Sequence, residues 1–238
     1  MTAMIGPHDI GGRKLGPIPI EQNEPVFHAD WERAVFGAVI STIIKGAYNV
    51  DEFRSGIEQM DAERYLAATY YEKWLFTLEY NLKRSGVISD AEIAAEIILW
   101  RGALESRPGK PGPTGARSLP EREDPKLLET INWLIPSGAS SRREIGTAPL
   151  YCVGEKVRGR FIEPAPHTRI PHYCQGETGR VRRIHDAYPL PDEVVRHGPE
   201  MPQYIYAVEF AAKDLWPDAE ANSAVLVDLW ESYLEPVS

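Results

Sequence analysis

The sequence predicts an α+β protein: an N-terminal extended arm and a helical domain, followed by a C-terminal SH3-like β-barrel. Three observations carry this. Over residues 30–106 apolar side chains recur at helical spacing, with start and stop signals between the segments. After residue 150 the pattern changes to alternation, in residues 154–185 and again in YIYAVEF and AVLVDLW. Between these regions, residues 106–123 hold four Pro and three Gly without periodicity, the composition of a linker. The expected domains are an extended partner-wrapping arm over residues 1–28, a helical domain over 29–105, a linker with one short helix over 106–150, and the barrel over 151–238.

Composition bounds the function. The chain has 238 residues, 43% of them hydrophobic, enough to bury a core. A net charge of −9 argues against general nucleic-acid binding, which needs a broad basic footprint. Two cysteines, Cys152 and Cys174, allow one disulfide but make no cysteine framework. The N-terminus lacks a cationic-then-apolar signal pattern, and no apolar run reaches the roughly 18 residues of a membrane span. A soluble cytoplasmic protein with reduced thiols is expected.

In the arm, HDIGGRKLGPIPIEQNEPVF mixes Gly, Pro and scattered apolar residues and cannot bury a face of its own. Ile10, Leu15, Ile18, Ile20, Val26 and Phe27 are its candidate anchors on a partner. Asp30 is the expected cap of a first helix burying Val35, Val39 and Ile43, ended by Gly46 and Asn49. Asp51 opens a second short helix, FRSGIEQM. A third is expected over residues 61–83, with Tyr70, Trp74 and Thr77 on one face. Such an aromatic stripe ordinarily means core packing. Ser89 and Glu92 form a capping-box pattern ahead of another helix, and residues 124–135 read as a short one.

The β region opens with Val157 and Phe161 pointing one way and Arg158 and Arg160 the other. A Pro-rich excursion with His167, Thr168 and Arg169 follows, then a strand over residues 178–184. Pro164, Pro166 and Pro171 lack N–H donors, which keeps the excursion out of the ladder and stiffens it. Residues 154–185 hold seven basic residues against three acidic, whereas residues 204–235 hold seven acids and one Lys. Asp214-Leu215-Trp216 and Asp228-Leu229-Trp230 repeat a motif, and each Trp is expected to close one side of the barrel.

No self-sufficient active site is visible: the chain lacks GxSxG, a Walker loop, GxGxxG and HExxH. His167 and His172 are too loosely spaced to name a metal site, so no metal ligand is assigned. Cys174 beside His172 reads as a small buried hydrophobe rather than a nucleophile. Arg54, on a short helix beside aromatics, and Arg169, in a stiff loop, remain. Most arginines are solvated surface charges, but a rigidly presented guanidinium suits bidentate recognition of an oxyanion.

Taken in order, HDIGG…LGPIP…NEPVFHADWE, DEFRSGIEQM, YYEKW, GEKVR…HTR and YAVEFAAKDLWPD…VDLWESYLEP resemble the β subunit of nitrile hydratase nearly end to end. The resemblance implies an α subunit partner, in an αβ heterodimer or (αβ)2 heterotetramer. That partner would hold iron(III) or cobalt(III) in a Cys-x-x-Cys-Ser-Cys claw with two oxidised cysteines, and this chain would bind no metal. It implies that Arg54 and Arg169 hydrogen-bond to the oxidised sulfur oxygens and that Tyr70 hydrogen-bonds near the metal site. Phe53, Trp74, Val50 and Val39 would line the substrate pocket, and the reaction would hydrate a small nitrile to an amide. Two positions depart from the pattern. Tyr173-Cys174-Gln175-Gly176-Glu177 stands where the family often has Tyr-Val-Arg-Gly-Lys, and Lys73 where some members carry His.

The stretch KDLWP also resembles thiocyanate hydrolase, in which the two halves seen here are separate chains. A third reading, an assembly or activator protein, fits less well, because such proteins resemble only the helical half. A fourth is a bare SH3-like ligand-binding module with a helical extension.

Overall fold

A computed structural model describes residues 6–12, 16–18, 20–106, 124–162 and 167–237. Leu15, Pro164, Pro166 and residues 107–123 of the expected linker lie outside these residues. The chain forms two compact units, one of Phe27–Gly56 with Thr69–Ala139, the other of Met1–Val26, Ile57–Ala68 and Ser140–Ser238. Among the described residues, no helix is long and apolar enough to cross a membrane.

The first unit is helical. It contains α1 (Asp30–Ile44), most of α2 (Val50–Glu58), α4 (Tyr70–Arg84), α5 (Asp90–Ser106) and α6 (Pro125–Ser137); α3 (Ala62–Ala67) belongs to the other unit. The cap of α1 is Ala29 rather than Asp30, and Glu32 in the first turn reaches back, its carboxylate accepting from the N–H groups of His28 and Ala29 just ahead of the helix. The single helix expected over residues 61–83 is two. Ala68 and Thr69 are extended, and Thr69 and Glu72 form a capping box that starts α4 afresh.

The packing of α1 on α4 is aromatic. Phe27 and Phe36 meet edge to face at 5.8 Å, Phe36 stacks on Trp74 at 5.9 Å, and Phe53 meets Trp74 at 4.9 Å. Below this cluster a polar latch ties α2 to α4. The buried Thr77 hydroxyl donates to the Phe53 carbonyl at 2.6 Å, and Asn81 Nδ2 donates to the Glu52 carbonyl at 3.1 Å. Gly56 admits the latch, since a Cβ there would fall 2.2 Å from Thr77 Oγ1.

The second unit is built on one antiparallel sheet of β1 (Lys156–Gly159), β2 (Thr178–Pro189), β3 (Pro202–Ala211), β4 (Ala224–Trp230) and β5 (Leu234–Pro236), in the order β4-β3-β2-β1-β5. The closed SH3-like barrel expected from the sequence meets an open sheet here: β4 and β5 are its edges, and no ladder joins them among the described residues. β5 is only three residues long and ends on Pro236, which has no donor to extend a ladder. Register shifts between Val181 and Arg183 and between Ile184 and Ala187 bend the long β2 instead.

The core on this sheet is Val157, Val181, Tyr206, Val208, Phe210, Leu229 and Leu234, with Ile170 and Cys174 from the connecting loop. The alternation expected through Phe161 stops early. β1 ends at Gly159, whose missing Cβ leaves room for the Cys174 carbonyl, and Phe161 is 75% exposed. The two Asp-Leu-Trp repeats also part company. The first ends the short helix α8 (Ala212–Leu215), while the second lies on β4, where the Trp230 indole donates to the carbonyls of Tyr188 and Pro189.

Candidate functional site

The polar centre of the β unit forms where the end of α2 and the loop before β2 supply opposite charges. Glu58 is the last residue of α2, and its carboxylate is buried. Its Oε2 lies 2.6 Å from His167 Nδ1, and its Oε1 accepts from an Arg169 guanidinium nitrogen at 3.3 Å. His167 is 2% exposed and Thr168 equally buried, so these two residues of the expected excursion are anchored inward, while the Arg169 side chain, 37% exposed, reaches solvent. Burial makes the pairing necessary: a desolvated carboxylate without such partners would be costly.

The backbone of this loop is held as firmly. The Arg169 N–H donates to Tyr233 Oη at 3.1 Å, and the Tyr233 hydroxyl donates in turn to Asp192. Asp192 sits in the first turn of α7 (Pro191–His197) and is itself buried. Burial pushes the Asp192 carboxyl above its ordinary range, and burial beside that carboxylate pushes the Tyr233 phenol up as well. Arg169 is therefore fixed at its backbone by a tyrosine and at its guanidinium by a glutamate. A third contact comes from the arm, where His8 Nε2 lies 3.7 Å from Glu58 Oε1. Among the described residues, Nδ1 of His8 and Nε2 of His167 are buried without a hydrogen-bond partner.

The remaining sequence-predicted residues lie in the helical unit. Phe53, Tyr70 and Trp74 are brought together, Tyr70 and Trp74 at 5.5 Å. Tyr70 is 64% exposed, so the stripe is not wholly core. Val50 is exposed at the start of α2, whereas Val39 is fully buried in α1. Arg54 is half-exposed and paired with Asp51 one turn earlier at 3.2 Å. Cys174 is buried with its thiol pushed up to about 12 by desolvation, which removes it as a nucleophile. Both cysteines are free.

Sequence reasoning passed over Glu58 and His8 and weighed His167 only as a metal ligand. The spacing Arg54-x-x-x-Glu58 looks like an ordinary helical pair, and nothing local shows that Glu58 turns inward. The donors gathered round Arg169 are guanidinium and imidazole nitrogens with one carboxylate already engaged. That set suits an oxyanion better than a metal ion.

Two family models cover most of the chain. The nitrile hydratase β subunit N-terminal domain matches residues 4–118, and the C-terminal domain of the same subunit matches residues 140–236. The chain belongs to the nitrile hydratase β-subunit family. Within that family it is 37% identical over 236 residues to the low-molecular weight cobalt-containing nitrile hydratase subunit beta of Rhodococcus rhodochrous, covering 98% of this chain and 100% of the relative. It is also 37% identical over 237 residues to the cobalt-containing nitrile hydratase subunit beta of Pseudonocardia thermophila, covering 98% and 97%. A shorter likeness, 33% over 86 residues, joins this nitrile hydratase β-subunit family member to the thiocyanate hydrolase subunit alpha of Thiobacillus thioparus; it covers 35% of this chain and 68% of that one.

Proposed function

We propose that the chain is the β subunit of a cytoplasmic nitrile hydratase, an αβ heterodimer or (αβ)2 heterotetramer that adds water across a nitrile to give an amide. The observation that carries this reading is Arg169, in the matched C-terminal half, presented on a buried carboxylate with its backbone fixed by Tyr233. In this reading Arg169 and Arg54 donate to the oxidised cysteine oxygens of the α subunit. Those oxygens are anions excluded from water, and a forked guanidinium offsets their desolvation in a geometry that Lys lacks.

The metal belongs to the α subunit and supplies Lewis-acid polarisation or water activation. The names of the two relatives favour cobalt over iron. This chain's part is to orient and to exclude water. Phe53, Trp74 and Val50 supply an apolar wall for the nitrile's R group, with the buried Val39 supporting it from α1, and Tyr70, whose side chain is exposed, hydrogen-bonds near the partner's metal site. In the arm, Ile18, Ile20 and Val26 are strongly exposed and serve as anchors on the partner. The five-stranded sheet, bent at the β2 bulges, takes the place of the expected small SH3-like barrel.

The thiocyanate reading is weaker, because that likeness covers about a third of the chain while the hydratase likeness spans it. An assembly factor would not need the C-terminal half, which is matched over residues 140–236. Co-expression with the candidate α subunit, followed by parallel assays of acrylonitrile hydration and thiocyanate hydrolysis, decides among them. Amide formation that requires both chains is expected. Thiocyanate turnover without amide formation, or no turnover by a metal-loaded complex, overturns the proposal.

A further inference from the structure

The first described stretch of the arm is not loose. Residues 6–12 turn on themselves, with the Asp9 N–H donating to the Gly6 carbonyl at 3.1 Å and the Ile10 N–H to the His8 carbonyl at 2.9 Å. The segment then seats against the loop that carries Arg169. Asp9 Oδ1 accepts from the His172 N–H at 3.3 Å, at the start of the short 3-10 turn His172–Cys174. Two glycines follow, and both lie flush on an aromatic pair formed by Tyr173 and Trp216, whose ring centroids are 5.0 Å apart. A Cβ on Gly11 would fall 2.4 Å from the Tyr173 ring. A Cβ on Gly12 would fall 2.1 Å from the Trp216 indole nitrogen, and Gly12 also adopts φ +76°, where L side chains are strained. His8 completes the arrangement beside Glu58, and a cavity of about 240 Å³ remains between the arm and the loop, bounded by His8, Asp9, Thr168, Arg169 and Tyr173.

We propose that residues 6–12 act as a clasp on the Arg169 loop, with His8 and Asp9 as positioning residues for Arg169. The clasp itself rests on contacts within this chain, whereas its catalytic consequence rests on the hydratase reading above. Asp9 holds the C-terminal side of the loop, Tyr233 holds Arg169 at its own N–H, and His8 bears on the carboxylate that orients the guanidinium. Gly11 and Gly12 are glycine because any side chain would lift the segment off the two rings. The two Asp-Leu-Trp repeats then have different duties, since Trp216 seats the arm and Trp230 packs within the sheet.

The test uses the assembled αβ complex with Gly12→Ala, Asp9→Ala and Asp9→Asn in this chain. Amide hydrogen exchange over residues 167–174 is read beside kcat and KM for acrylonitrile. With Gly12→Ala and Asp9→Ala the loop should exchange about fivefold faster, the factor that a loss the size of one typical hydrogen bond gives. In both variants kcat should fall while KM stays within about twofold, since an interaction made with the reacting centre and not with the substrate is disturbed. Asp9→Asn retains an acceptor oxygen and should restore most of both readouts, which a general loss of stability would not do. Unchanged exchange in both Gly12→Ala and Asp9→Ala overturns the clasp. Faster exchange with unchanged kcat overturns the positioning role. The exchange result stands by itself, so a complex that does not hydrate nitriles removes the hydratase reading without deciding the clasp.

Discussion

Glu58 and His167, 109 residues apart in sequence, share a 2.6 Å hydrogen bond with both side chains buried. This joins the end of a helix to a loop that no local pattern connects with it, and it leaves the second carboxylate oxygen for Arg169.

Replacing that carboxylate should therefore cost both order and activity. Glu58→Gln keeps the shape but leaves His167 and Arg169 without a charged acceptor. Stability in urea should fall by about 1–3 kcal/mol, the penalty for buried polar groups left poorly satisfied. Hydratase activity of the complex should fall with it. A variant with unchanged midpoint and slope would show that the Glu58 cluster does not hold the loop.

Lysine cannot reproduce a fork. Arg169→Lys and Arg54→Lys should each lower kcat by roughly 10- to 100-fold, as expected for charge-assisted hydrogen bonds lost at a reacting centre. Steady-state kinetics on complexes verified as αβ by sedimentation checks this. Wild-type kcat in either variant removes that arginine from the proposed set.

Tyr233→Phe deletes one hydroxyl that serves two neighbours, Asp192 and the Arg169 N–H. The cost should be about 1–3 kcal/mol at neutral pH. Burial already raises the Asp192 pKa, and the lost donor raises it further. A carboxyl with a raised folded pKa binds protons more readily in the folded state, so the deficit should shrink as pH falls and Asp192 becomes neutral. Denaturation at two pH values measures this, and a pH-independent deficit would count against the assignment.

Acid should loosen the arm. Burial holds His8 below its ordinary value, partly offset by the Glu58 carboxylate, while Arg169 and His167 add to the lowering and Asp9 opposes it. An undocked arm takes up a proton more readily than a docked one. The docked arm is thus favoured above the ordinary histidine value of 6.5 and weakens as pH falls through it towards the depressed one. Trp216 fluorescence followed from about pH 8 to about pH 5 should report this. His8→Gln, which does not titrate, should flatten the transition.

Much of the fold is legible in the chain because local chemistry decides it. Ser89 and Glu92 cap α5 as their spacing suggests, and Asp124 caps α6. Thr69 and Glu72 carry the same signal, yet a continuous aromatic stripe hides the break they create. Phe161 follows the alternation of Val157 but leaves the strand, because the close approach at Gly159 is set by a loop 15 residues later. Of the proposed site, Arg54, Phe53, Tyr70, Trp74 and Arg169 are named from motifs alone. Glu58, Asp192 and Tyr233 are not, since an acid turned inward is indistinguishable in sequence from one that faces water.

Cys174 lies at the base of this loop, shut inside the sheet core with its thiol far from the thiolate form. Peroxide reacts with thiolates that it can reach. An oxidant in solution is thus kept from Cys174 by burial, and the exposed Cys152 is the thiol of this chain that it meets.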